Sequence, residues 1–97
     1  MHTHGNATEN IDFTKCEWSF VDSDTAENQG WACEFGSGLA FGEVENLLIV
    51  ASFHEENLSL MYYEVYDGAE IIEYAWDDTG DVAEKLHIPE SIVGKMR

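Results

Sequence analysis

"LSLMYYEVYDGAEIIEYAW", Leu58 to Trp76, is the stretch whose reading decides the fold. Asp67-Gly68 supplies the two positive-φ residues that a type I′ turn needs, with β-branched and aromatic residues on both sides. A hairpin centred there predicts Met61 opposite Tyr74, Tyr63 opposite Ile72 and Val65 opposite Glu70. On the other side Tyr62 is expected to face Glu73, and Glu64 to face Ile71. One face is then mainly apolar and packs inward, while the other mixes aromatics with carboxylates.

Upstream, "NLLIVASF" (Asn46 to Phe53) is a continuous apolar run of strand length and predicts a central strand buried on both faces. A short helix over Gly42–Leu48 competes for part of it. Cys16, Trp18 and Phe20 alternate with polar residues, as do Trp31, Cys33 and Phe35, so two further strands are expected around an acidic loop, Asp22–Gly30. Registered as a hairpin, they put Trp18 beside Trp31 and Cys16 beside Cys33. Gly36, Gly38 and Gly42 suggest a bulge or bend late in the second strand.

Downstream, "WDDTGD" closes the sheet and Asp81 is the expected N-cap of the next element. "DVAEKLHIPESIVGKMR" (Asp81 to Arg97) then predicts two short helices, with Val82, Leu86, Ile88, Val93 and Met96 turned onto the sheet. The expected fold is α+β: about five strands in a largely antiparallel meander, followed by two short C-terminal helices. Residues 1–10 lack apolar periodicity and read as a mobile tail. Residues 11–97 read as a single domain, with the sheet over 11–78 and the helical hairpin over 79–97.

Charge is the strongest global signal. The chain of 97 residues holds 20 acidic and 4 basic side chains, a formal net charge of −16. Three of the basic residues, Lys85, Lys95 and Arg97, fall in the last 17 positions, which are charge-balanced. Such a field repels nucleic acids and anionic membranes and draws basic partners in. The longest apolar run is far too short to span a bilayer, no signal-peptide pattern opens the chain, and a cytoplasmic location is the expectation.

Enzymatic constellations are not found. "FGSGLAFG" lacks the Lys-Ser/Thr of a phosphate loop, no nucleophile elbow occurs, and neither cysteine has an obvious histidine partner. Asp22 and Asp24 are spaced as in a calcium loop, but its remaining ligands and central Gly are missing. His54 beside Glu55 is equally a base with its orienter or a plain turn residue. The expectation is no catalytic residue, no metal and no cofactor.

The acids carry the functional reading. Asp22, Asp24, Glu27, Glu55, Glu56, Glu64, Glu70, Glu73, Asp77 and Asp78 are the expected partner-binding residues. Alternate carboxylates along a strand lie roughly 6–7 Å apart, a spacing close to that of DNA phosphates. In size, charge and acid-studded strands over Glu55–Asp78 the chain resembles the DNA-mimic inhibitors carried by phages, including anti-restriction and some anti-CRISPR proteins. That resemblance implies blockade, without catalysis, of the basic DNA- or RNA-binding cleft of a partner such as a CRISPR effector or restriction enzyme.

The last 17 residues resemble the helix-turn-helix of phage repressors, with small Ala83 in the first helix, the five apolar positions above and Pro89 at the start of the second. His87 stands where that motif usually has Gly, and no preceding helix exists. This resemblance implies an alternative: a small transcriptional regulator or antitoxin contacting DNA through Ser91, Lys95 and Arg97. Direct DNA binding is disfavoured by the charge. A third reading is an immunity protein against a basic nuclease toxin. A homodimer is compatible with the charge-balanced helical segment, and membrane association is not expected.

Overall fold

The computed structural model describes residues 11–54 and 57–97, together with the backbone of a short strand at its beginning. Five strands form an antiparallel meander: β2 (Glu17–Asp22), β3 (Gly38–Val44), β4 (Leu47–His54), β5 (Asn57–Asp67) and β6 (Glu70–Asp78). A three-residue strand, β1 (His2–His4), pairs antiparallel with β6 and extends the sheet to six. The tail expected over residues 1–10 therefore includes a paired segment, and the rest of it lies outside the described residues. The chain ends in two helices, α2 (Thr79–Leu86) and α3 (Glu90–Met96). The α+β meander expected from the sequence is the fold. No described helix is long and apolar enough to cross a membrane.

The helices cover one face of the sheet. α2 lies against β5 and β6, and α3 against β2 and β3. Val82, Leu86, Ile88, Ile92 and Met96 meet Ile49, Ala51, Phe53, Met61, Tyr63 and Val65 in a continuous core, with Val93 partly buried against it. Each large apolar side chain sealed there contributes about 1.5–3 kcal/mol. Trp18 ties the layers together: its indole Nε1–H donates to the Leu86 carbonyl at 3.1 Å. The ring crosses Gly42, where an added Cβ would sit 2.9 Å from it and 2.6 Å from Cys16 Sγ. The glycine in β3 is what lets the tryptophan lie flat against the sheet.

Four expectations are corrected by the structure. First, the Asp22–Gly30 stretch is a helix, α1 (Ser23–Asn28), rather than a loop. The Asp22 carboxylate caps it, accepting from Thr25 N and Oγ1 at 3.1 and 2.8 Å. Gly30, at φ 92°, ends it: Gly30 N–H donates to Glu27 O and Trp31 N–H to Ala26 O. That bond pair is a Schellman motif. Second, residues 31–35 form no strand, and β2 pairs with β3 instead, Trp18 opposite Gly42. Trp18 and Trp31 therefore never meet across strands. Cys16 packs against the helix-side core and Cys33 sits in a separate cluster on the opposite side, both as free thiols.

Third, the β5–β6 turn is centred on Gly68-Ala69, with Asp67 opposite Glu70. Only Gly68 has positive φ, as a type II′ turn requires. A register shift follows, because Val65 pairs with Glu73 and Tyr66 with Ile71, leaving Ile72 as the extra residue. The observed partners are Met61–Asp77, Tyr63–Ala75, Tyr62–Trp76 and Glu64–Tyr74. Fourth, α2 begins at Thr79, so Asp81 lies in its first turn rather than at its N-cap. The competing helix over Gly42–Leu48 is absent, since that segment is β3 and β4 joined by a turn at Glu45.

Between α2 and α3, His87 adopts the left-handed conformation, φ 56° and ψ 39°. Ile88 N–H donates to Ala83 O and His87 N–H to Glu84 O. α1 and α2 thus end in the same motif, once with Gly and once with His.

Candidate functional site

The face of the sheet away from α2 and α3 is only partly covered. α1 and the loop after it sit on one end, burying Ala26, Cys33, Leu39 and Val50. Because the Schellman motif fixes the chain direction after Gly30, Trp31 is delivered onto the sheet. Its ring meets Phe41 edge-on at 5.3 Å and Tyr66 at 5.5 Å. Beyond them Tyr62 and Tyr74 lie 6.2 Å apart, and His54 stacks on Trp76 at 5.6 Å with 25° between planes. Alternation places these rings: Tyr62, Glu64 and Tyr66 leave β5 on one side, while Met61, Tyr63 and Val65 leave it on the other.

A cavity of about 580 Å³ opens between the 30–35 loop and these strands. Trp31, Val50, Ser52, Tyr62 and Tyr66 line it, and Glu64 is the carboxylate within the strands. Tyr66 donates to Glu64 Oε1 at 3.1 Å and Tyr62 to Oε2 at 3.2 Å. Burial, and then the Glu64 charge, push both phenols above their ordinary value of 10.0, so both stay protonated donors. Glu34 lies on the rim, and no Lys or Arg lines the cavity. All four basic residues belong to elements on the helix side: Lys15 in the 3-10 turn beside α2, Lys85 in α2, Lys95 in α3 and Arg97 just after it.

The ten acids singled out in the sequence do not form one row. Glu64 alone is in the cavity. Asp24 and Glu27 are exposed on α1, on the same side of the sheet, and Asp22 is engaged as the α1 cap, its carboxyl lowered by the Thr25 hydrogen bonds. Glu70 is at the hairpin tip. Glu55 and Glu56 lie outside the described residues.

Glu73 is turned the other way, 2% exposed, because the bulge at Ile72 sets its side chain toward α2. There it accepts from Tyr63 Oη at 3.0 Å and lies 3.7 Å from Lys85 Nζ, which also donates to the Tyr63 hydroxyl. Asp77 shares that side. The carboxylates of Asp77, Asp78 and Asp81 converge within 4.8 Å at the start of α2, where the helix dipole favours negative charge. An exposed acidic group of this kind carries no metal assignment by itself.

Sequence reasoning missed Trp31, Glu43 and Tyr74 as components of this face. Glu43 stands directly opposite Glu17, a like-charge pair at the sheet's edge that no ladder partner neutralises. The signal for Trp31 was present as an N-capping Asp22 followed by Gly30, which together bracket a helix. Ser91, Lys95 and Arg97 are all exposed at the end of the chain. Arg97 lies over the Phe53 ring at 5.5 Å and its backbone carbonyl accepts from Ser37 Oγ at 2.7 Å, so the last turn of the chain is tethered to the loop before β3.

Cys16 is half-buried just before β2, on the helix side of the sheet. Burial first, then Glu17 and Glu43, push its thiol up to about 11. No protein-family model matches the chain, and comparison with curated proteins and with solved structures gives no match either.

Proposed function

We propose that this protein is a non-catalytic inhibitor that covers the basic nucleic-acid-binding surface of a partner protein with the side of its sheet away from α2 and α3. The observation that carries this reading is the placement of the cations away from this face. The chain has 20 acidic and 4 basic residues, and all four basic ones sit on helix-side elements. The opposite side bears Glu17, Asp24, Glu27, Glu34, Glu43 and Glu64 around exposed aromatic edges. Aromatic residues amid a polar, single-sign rim are what a protein-binding surface needs. A nucleic-acid platform would need the same rings among cations.

The geometry refines the imitation of DNA. Since Glu64 and Glu73 leave β5 and β6 on opposite faces, the carboxylates present a field with a central anchor rather than a phosphate-like ladder. Electrostatic attraction sets the approach, and the aromatic cavity supplies the short-range contacts.

The test begins with duplex DNA and the isolated protein in a polarisation assay, where no binding is expected at physiological salt. Next, a partner recovered from host lysate is assayed for its own DNA or RNA binding. Stoichiometric loss on adding this protein, relieved by salt, supports the proposal. Unaltered nucleic-acid binding by every retained partner, or direct binding of DNA by this protein, overturns it.

A further inference from the structure

We propose that the cavity beneath Trp31 receives an arginine side chain of the basic partner, its guanidinium paired with Glu64 and lying against the rings of Tyr62, Tyr66 and Trp31. The proposal rests on the reading of the protein as a binder of basic surfaces and names the contact that would anchor it.

Glu64 is held ready. A carboxylate offers about four lone-pair sites, and here each oxygen accepts one tyrosine hydroxyl. One site on each oxygen is left, which is the arrangement a guanidinium fork uses in a bidentate pair. The two hydroxyls fix the carboxylate's orientation, so little rotamer freedom remains to be lost on binding.

The walls suit the same group. Guanidinium is planar, weakly hydrated and stacks on aromatic faces, whereas ammonium is a compact, strongly hydrated point charge. Trp31 and Tyr66 meet at 77°, so the two walls are presented at a steep angle to one another. A cation reaching Glu64 lies against these contacting rings rather than between them, and meets aromatic surface together with a carboxylate, the combination that holds organic cations in aromatic cages. The cavity, at about 580 Å³, is within the range of small-ligand sites and is large enough for a side chain with its stem. No lysine or arginine of the chain lines it, and the lining His54 is stacked on Trp76.

Glu73 shows the contrasting case within the same hairpin. It too accepts from a tyrosine, Tyr63, but Lys85 of α2 already supplies its cation. Glu64 has an equivalent phenol environment with no lysine or arginine in the cavity, and that is the position left for one from outside.

The experiment titrates the full chain with hexa-arginine, hexa-lysine and hexa-citrulline peptides, following the indole N–H signals of Trp31 and Trp76 by NMR. Citrulline keeps the shape of arginine and removes the charge. Hexa-arginine is expected to shift the Trp31 signal saturably, with hexa-lysine weaker and hexa-citrulline silent. Glu64→Gln should weaken hexa-arginine by roughly tenfold or more, the loss typical of one charge-assisted pair.

Because Glu64→Gln could disturb the tyrosines, Ser52→Phe provides a second variant that fills the cavity from β4 and leaves Glu64 in place. It should abolish the Trp31 shift as well. Glu70→Gln, at the hairpin tip, should change affinity less than threefold. Hexa-arginine binding that is as tight in Glu64→Gln and Ser52→Phe as in the wild type, or that leaves Trp31 unmoved, overturns the arginine site while leaving the charge-based inhibitor reading intact. A Glu64-dependent shift in a protein that blocks no partner's nucleic-acid binding upholds the site and sinks the inhibitor reading.

Discussion

The two faces of the sheet solve the problem of carboxylates beside aromatics in opposite ways. On the helix side Glu73 is buried against Tyr63 and is neutralised from within by Lys85. On the free side Glu64 is held by Tyr62 and Tyr66 with no lysine or arginine lining its cavity. The strands β5 and β6 supply both, separated only by alternation and one bulge. A carboxylate satisfied inside the fold supports structure, and one held open between hydroxyls is available for recognition.

The largest expected effect removes the layer that distinguishes the faces. Leu86→Ala, at a fully buried position under the Trp18–Leu86 bond, should cost about 3–4 kcal/mol in urea unfolding. Trp31 fluorescence in the folded state should stay close to that of the wild type, because its ring lies on the other face. Next comes Lys85→Met, which removes the cation beside Glu73 in the core. Removing one partner of a buried pair costs about 3–5 kcal/mol, and with Lys85 33% exposed roughly 2–3 kcal/mol is expected. Glu64→Gln should cost less than half of that in the same assay, and an equal loss would erase the contrast between the two carboxylates.

Alkaline pH tests both faces together. Cys16 is raised to about 11, and Tyr62, Tyr63 and Tyr66 are raised from 10.0. These acids hold their protons more tightly folded than unfolded, so their contribution is complete below the unfolded values and is lost as pH climbs through the folded ones. Thermal unfolding followed by circular dichroism should therefore show stability falling from about pH 9 upward, where the free thiol begins to ionise. Iodoacetamide should leave Cys16 nearly unreacted at pH 8.

Smaller effects concern the loops. His87→Gly places at the end of α2 the residue that already ends α1, and relief of the left-handed backbone should stabilise the fold by roughly 0.5–1 kcal/mol. Glu43→Lys converts the Glu17–Glu43 pair into an attractive one, worth about 0.2–1 kcal/mol. That gain should shrink in high salt, and a gain independent of salt would show that the pair is not repulsive.

Much of the architecture was legible because hydrophobic patterning is local. The apolar run Leu47–Phe53, the alternation in β5 and the spacing of Val82, Leu86, Ile88 and Met96 each survive intact in the structure. The errors fall where a single residue changes parity. A turn at Gly68-Ala69 rather than Asp67-Gly68, followed by the extra Ile72, moved every cross-strand partner of β6 and carried Glu73 from an expected binding face into the core. Likewise, a capped helix of six residues looked like an acidic loop, and Trp31 was expected in a strand. Of the eight acids put forward that lie among the described residues, one reached the cavity.

The sequence alone determined the quantities that are sums or local repeats: net charge, the confinement of three of the four basic residues to the C-terminal segment, and strand and helix periodicity. These depend on near neighbours and on composition. Only the tertiary structure decided which carboxylate meets which cation. Facing is fixed by register, and register is set by the competition between turn geometry and burial across the whole sheet. Glu64 and Glu73 look alike along the chain; the bulge and the packing of α2 make one of them core and leave the other at the mouth of an aromatic cavity.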